Sequence, residues 1–124
     1  FPDAANGIID CNHWFNPKDK RAAELRKRVE AKGLFFTYEI FNTYTAVRLL
    51  ADAIERAKSA DRAAITAALA GSTFSDHFMP YGPTKFVDGQ NTGAQPLMTQ
   101  VLKGDIKVIV PRDYREVDPV FPLK

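Results

Sequence analysis

Between Ile40 and Ala57 the apolar residues return at a spacing that one secondary structure satisfies. Ile40, Tyr44, Val47, Ala51 and Ile54 alternate steps of four and three, which places them on one face of an α-helix. Leu50, Ala53 and Ala57 widen the stripe, so the sequence predicts a helix docked on a core rather than one lying in solvent. The run breaks at Ser59-Ala60-Asp61, where the Asp61 carboxylate can accept from the free N–H groups that open a second helix. That helix offers Ala64, Ile65, Ala68 and Leu69 as its apolar face, and Gly71 sits where a left-handed residue would end it. Most of the helix pair reads as scaffold.

A chain of 124 residues is one domain by length and can bury a real core. Its 17 basic and 15 acidic side chains nearly balance, and the basic ones do not gather on an aromatic-lined stripe. A nucleic-acid partner is therefore not indicated. No apolar run approaches the roughly 20 residues that cross a bilayer, and the opening FPDAANG shows no export signal. Cys11 is alone, so it forms no intrachain disulfide and says nothing of the redox compartment.

Taken in order, Gly7-Ile8-Ile9 predicts a short buried strand over residues 7–11. Asn16-Pro17 predicts a helix over 17–32, with Ala22, Leu25 and Val29 facing inward and Gly33 stopping it. After the helix pair, Ser72 to Gly82 is irregular, and Pro80 and Pro83 flank a turn. Thr84 to Val87 suits a short strand before an Asp88-Gly89 turn, with polar loop from Gln90 to Gln95. Leu97–Leu102 and Ile106–Val110 then pair as a hairpin about Lys103-Gly104-Asp105. The tail from Arg112 to Lys124, with Pro119 and Pro122, should run extended. Helices with about four strands make an α/β or α+β arrangement, too few strands for a complete doubly wound sheet under so broad a helix. The chain reads as part of a larger fold.

Catalytic chemistry finds little support. Cys11 and His13 could ligate a metal, but zinc needs three or four ligands and His77 is the one other histidine. A Cys–His nucleophilic pair lacks a Gly-rich oxyanion loop. Ser75, Asp76 and His77 are adjacent, whereas a triad is assembled from separated segments. No nucleotide-binding glycine loop or hydrolase elbow occurs. The sequence thus indicates no catalytic residue, metal or cofactor. Trp14 and Phe15, with Phe35, Phe36, Tyr38, Phe41 and Tyr44, crowd two short segments beside Glu39 and Asn42. Such a wall suits a small-molecule cleft and suits a core equally well.

Several segments together resemble the final third of the type I periplasmic solute-binding proteins, the branched-chain amino-acid-binding class that serves ABC importers. They are Asn6-Gly7-Ile8-Ile9, His13-Trp14-Phe15-Asn16-Pro17, the Tyr44 helix ending in ADAIERA (51–57) and DRAAITAAL (61–69). Thr73-Phe74, PYGPTKF (80–86), DGQNTGAQP (88–96), QVLKGDIKVIVP (100–111) and PVFPLK (119–124) follow in order. The resemblance implies that residues 1–124 are the C-terminal portion of a fold with two Rossmann-like lobes joined by crossover strands. It also implies a non-enzymatic, periplasmic substrate-binding component of an ABC transporter, closing on a solute and docking on a membrane permease. The same lobes serve ligand-sensing receptors and regulators, which is the alternative. The apolar faces are expected to meet the N-terminal part of the same protein, or a swapped or neighbouring chain.

The resemblance places the ligand at two points. Asn6 stands where amino-acid-binding members carry an acidic residue for the ligand ammonium, and the start of the long helix offers Glu39, Phe41 and Asn42. His13 and Trp14 are expected at the cleft mouth. With neutral Asn6 in place of a carboxylate, the expected ligand is an amino-acid-like solute or, better, an aromatic or other organic acid.

Overall fold

The computed structural model describes residues 2–121; Pro122 and the rest of the expected extended tail lie outside the described residues. A short helix α1 (Pro2–Ala5) leads into strand β1 (Ile9–Asn12), followed by helices α2 (Lys20–Glu30), α3 (Tyr38–Ala57) and α4 (Arg62–Ala70). Two-residue strands β2 (Phe86–Val87) and β3 (Gln90–Asn91) form a small hairpin. Strands β4 (Leu97–Leu102) and β5 (Asp105–Val110) form a larger one, and a 3-10 turn, Arg112–Tyr114, follows. The main sheet is antiparallel in the order β1-β4-β5, so β1 crosses the whole sequence to pair with β4. Helices packed on so small a sheet make this a partial α/β fold.

Local chemistry sets most boundaries. Asp61 caps α4 as expected, its Oδ1 accepting from Ala64 N at 3.0 Å. Helix α2 begins later than the sequence predicts. Asn16-Pro17 forms a turn, with Asn16 Oδ1 accepting from Lys18 N, and Asp19 is the cap, accepting from Arg21 N. The left-handed position also moves: Lys58, with φ of 48°, ends α3, whereas Gly71 at φ of −89° ends α4 without leaving the right-handed side. Both tight hairpins turn on paired positive φ, 48° and 77° at Asp88-Gly89 and 53° and 80° at Lys103-Gly104, the mirror-image turn that matches strand twist.

The core corrects the expected face of α3. Its buried residues are Phe41, Thr45 and Ala53; Ala53 belongs to the widened stripe as predicted, but Phe41 and Thr45 lie about 100–140° around the axis from Ile40, since each residue turns a helix by about 100°. Phe41 decides the rotation. Its ring is wholly buried among Trp14, Phe15 and Phe36, at centroid separations of 5.3, 5.5 and 5.9 Å. Burying a Phe stabilises by about 1.5–3 kcal/mol, and edge-to-face contacts add to that. Ile40 still packs on the core, but Tyr44, Val47, Leu50 and Ile54 face solvent, with Val47 61% exposed. The expected burial of the first strand fails likewise, for Ile8 and Ile9 are exposed and β1 lies at the edge of the sheet. No helix among the described residues is long and apolar enough to cross a membrane.

Candidate functional site

The segment Phe35-Phe36-Thr37 feeds into α3 and brings its first turn beside β1. A cleft of about 290 Å³ opens there. Trp14, Phe35, Phe36 and Tyr38 supply its aromatic wall, and Asp10, Asn12, Thr37 and Glu39 its polar groups. Trp14 and Phe36 are fixed in the core, whereas Phe35 is 82% exposed and overhangs solvent. The Trp14 indole N–H is buried with no acceptor among the described residues, and the ring instead packs edge-to-face on Phe36 and Phe41.

The charges at this cleft are of one sign. The Thr37 side chain and the backbone N–H at the helix start hold the Glu39 carboxyl below the usual carboxylate range. Glu39 in turn pushes the Tyr38 phenol up, and Asp10 adds to the effect, so the hydroxyl stays protonated at neutral pH. Asn12 Nδ2 donates to Asp10 Oδ2 at 3.3 Å, which holds the two polar side chains of β1 together. On the other side of the aromatic wall lies the Arg26 guanidinium. It sits over Phe36, 6.0 Å from the ring centre, and is engaged by Glu30 and Asp105 at 2.8 and 3.1 Å.

The structure brings Trp14 and Glu39 to this one cleft. Phe41 is in the core with no exposed surface, and Asn42 is half-buried one residue further along α3. His13 is exposed, its backbone N–H donating to Asn12 Oδ1. Asn6 lies apart, beside Asp3, Lys103 and Gly104, with Oδ1 accepting from Lys103 N at 2.8 Å. Asp10, Asn12 and Thr37 are not among the expected site residues, whereas the sequence places Phe35, Phe36 and Tyr38 only in an aromatic wall that suits a cleft or a core. The available signal was the alternation in β1, which puts Asp10 and Asn12 on one face of the strand.

Two other features have structural roles. Asp76 is held by Arg21 and Arg48, joining α2 and α3 through the loop between them in space. His77 Nδ1 accepts from Met79 N, and Nε2 lies 3.2 Å from the Gly82 carbonyl, a pairing that suits the neutral imidazole. Neither side chain is directed at Ser75 as in a triad. A wider groove of about 420 Å³ runs between α3 and residues 73–76; of its charged groups, Arg48, Asp52 and Asp76 are in ion pairs, and Glu55 also lines it.

The sequence profile described as periplasmic binding protein matches residues 1–105, a span that includes every lining residue of the aromatic cleft but Ile106. The chain belongs to the periplasmic binding protein family, in its type I, branched-chain amino-acid-binding form. Among curated proteins no sequence matches the chain. Membership gives this periplasmic binding protein a ligand-binding role, in a family that is generally non-enzymatic and works outside the cytoplasm.

Proposed function

We propose that the chain is the C-terminal portion of a two-lobed substrate-binding component of an ABC importer. It captures a small amino-acid-like or aromatic organic-acid solute in the cleft at the first turn of α3 and delivers it to a membrane permease. The observation that carries this reading is the convergence of Trp14, Tyr38 and Glu39 on one open, aromatic-walled cleft. Rings give contact area, and a few polar groups fix orientation, as a small-solute site requires. The solvent-facing stripe of Tyr44, Val47, Leu50 and Ile54, with Ile8 and Ile9 at the sheet edge, supports a second claim: these surfaces are covered by further polypeptide of the same protein or by a neighbouring chain. Closure of two lobes on the solute is then a population shift, limited by the solute's differential affinity for open and closed states.

The test is a solute panel of amino acids, aromatic acids and amines, read as the thermal midpoint of the intact protein. A hit should raise the midpoint, and deleting the gene should abolish uptake of that solute. No hit, or turnover of a bound compound, overturns the reading. Uptake that survives deletion favours a sensing role on the same fold.

A further inference from the structure

We propose that the outward face of α2 rests on a negatively charged phospholipid surface, an interaction that needs no bound solute and stands apart from the aromatic cleft. The charge of the chain is segregated. Residues 18–32 hold seven Lys and Arg against three carboxylates, whereas the other 109 residues hold ten against twelve and are net acidic. Helix α2 buries Ala22 and packs Leu25 and Val29 on the core. Lys20, Glu24, Lys27 and Arg28 point the other way, about 140–240° around the axis from Ala22. All four are exposed, and exposed Lys32 follows them just past the helix.

Structural duties do not account for these cations. Arg21 is held by Asp19 and Asp76, Arg26 by Glu30 and Asp105, and Lys18 Nζ donates to the Asp113 carbonyl. Lys20, Lys27, Arg28 and Lys32 make no ion pair among the described residues. The negative end of the helix welcomes Lys27 and Arg28, but Lys20 stands in the first turn, at the positive end, where a cation is unfavourable. Asp19, the acid at that end, is taken up by Arg21. The form of the face selects the partner. Neither the aromatic cleft nor the α3 groove includes any of the four cations, so no pocket there grips a single anion or a peptide. Cations spread over about three turns of a convex helix suit many anions in one plane that can shift to meet them, as lipid headgroups do. Leu34, 56% exposed beyond the end of α2, adds an apolar side chain of the kind a bilayer interface accepts.

Flotation of the intact protein with vesicles tests the proposal. One set is phosphatidylcholine alone, and the other contains phosphatidylglycerol as a minor, anionic component. Binding to the anionic set should be at least about tenfold stronger at low salt, and should fall as salt rises and the Debye length shortens to about 8 Å. Lys27→Gln and Arg28→Gln should each weaken it about fivefold, the factor that corresponds to about 1 kcal/mol for one charge at such a surface. Glu24→Gln should strengthen it by a similar factor, a gain that no folding defect produces. All three positions are exposed, so the thermal midpoint should stay in place. Equal binding to the two sets, or an affinity that none of the three variants moves, overturns the proposal. Absence of binding to the anionic vesicles overturns it too, and leaves the face to an acidic protein or to solvent. The solute panel is read without lipid, so this proposal and the solute-binding reading fail separately.

Discussion

Gln100 and Val120 exchange two hydrogen bonds across twenty residues of chain: Val120 N donates to Gln100 Oε1 at 2.9 Å, and Gln100 Nε2 donates to the Val120 carbonyl at 3.0 Å. The same Nε2 reaches the Gly7 carbonyl at 3.2 Å, so one amide on β4 ties both ends of the described chain to the sheet. Gln100 is 1% exposed, and its burial is tolerable because both ends of the amide are paired.

Gln100→Ala removes those bonds and strands the Val120 N–H and two carbonyls. Leaving a buried group unpaired costs about 1–3 kcal/mol, so the variant should lose about that much stability in a urea titration. Gln100→Glu should lose stability as well, because a carboxylate cannot donate to the Gly7 and Val120 carbonyls. Stability equal to wild type in both would show that the amide does not anchor the tail.

The two faces of α3 should answer differently to truncation. Phe41→Ala opens a cavity in the four-ring cluster and should cost about 3–5 kcal/mol. Val47→Ala on the outward face should change the stability of this chain by less than about 0.5 kcal/mol. Val47→Asp, in contrast, should weaken association with whatever polypeptide covers the stripe. Sedimentation of the intact protein reads that effect. A silent Val47→Asp would mean that the stripe stays in water.

Acidification should destabilise the chain through His77 before it reaches the carboxylates. Burial lowers the His77 pKa beneath its ordinary value of 6.5, with the Gly82 carbonyl opposing the shift. The unfolded chain therefore binds the proton more readily, so the contribution is complete above pH 6.5 and is lost as pH falls toward the depressed folded value. Asp19 and Asp76, lowered by Arg21 and for Asp76 also by Arg48, contribute in a separate window, lost only below about pH 4. Urea midpoints at pH 5 and 7.5 should differ for wild type and converge for His77→Gln. A persistent difference in that variant would assign the effect to another group.

Much of this was legible in the residues, and what was not has a physical cause. Asp88-Gly89, Lys103-Gly104 and the Asp61 cap are local chemistry, decided within a few residues, and each occurs where the sequence places it. The rotation of α3 is not local. Its 40–54 stripe and its Phe41 side are both apolar, and the choice between them depends on Trp14, Phe15 and Phe36 arriving from elsewhere in the chain. A stripe that reads as buried yet stands in solvent is also what periodicity gives when its partner lies outside these 124 residues. At the cleft, Trp14 and Glu39 were legible from aromatic crowding. Asp10 was hidden, because the alternation in β1 puts it on one face with Asn12 without marking that face as functional.

Phe35 offers the cleanest separation of binding from folding. It lines the cleft but is 82% exposed, whereas its neighbour Phe36 is 6% exposed and belongs to the core. Truncating the two should therefore dissociate the properties that the aromatic cluster combines. Phe36→Ala should cost about 3–5 kcal/mol of stability, as a core cavity does. Phe35→Ala should leave the unfolding midpoint of the ligand-free protein unchanged. It should also weaken the solute about tenfold, the loss of one ring's contact being on the order of 1–2 kcal/mol. Thermal unfolding and calorimetric titration of the same two variants measure both effects. If Phe35→Ala binds like wild type, the ring at the mouth is not part of the site, and the solute must lie deeper, against Trp14 and Tyr38.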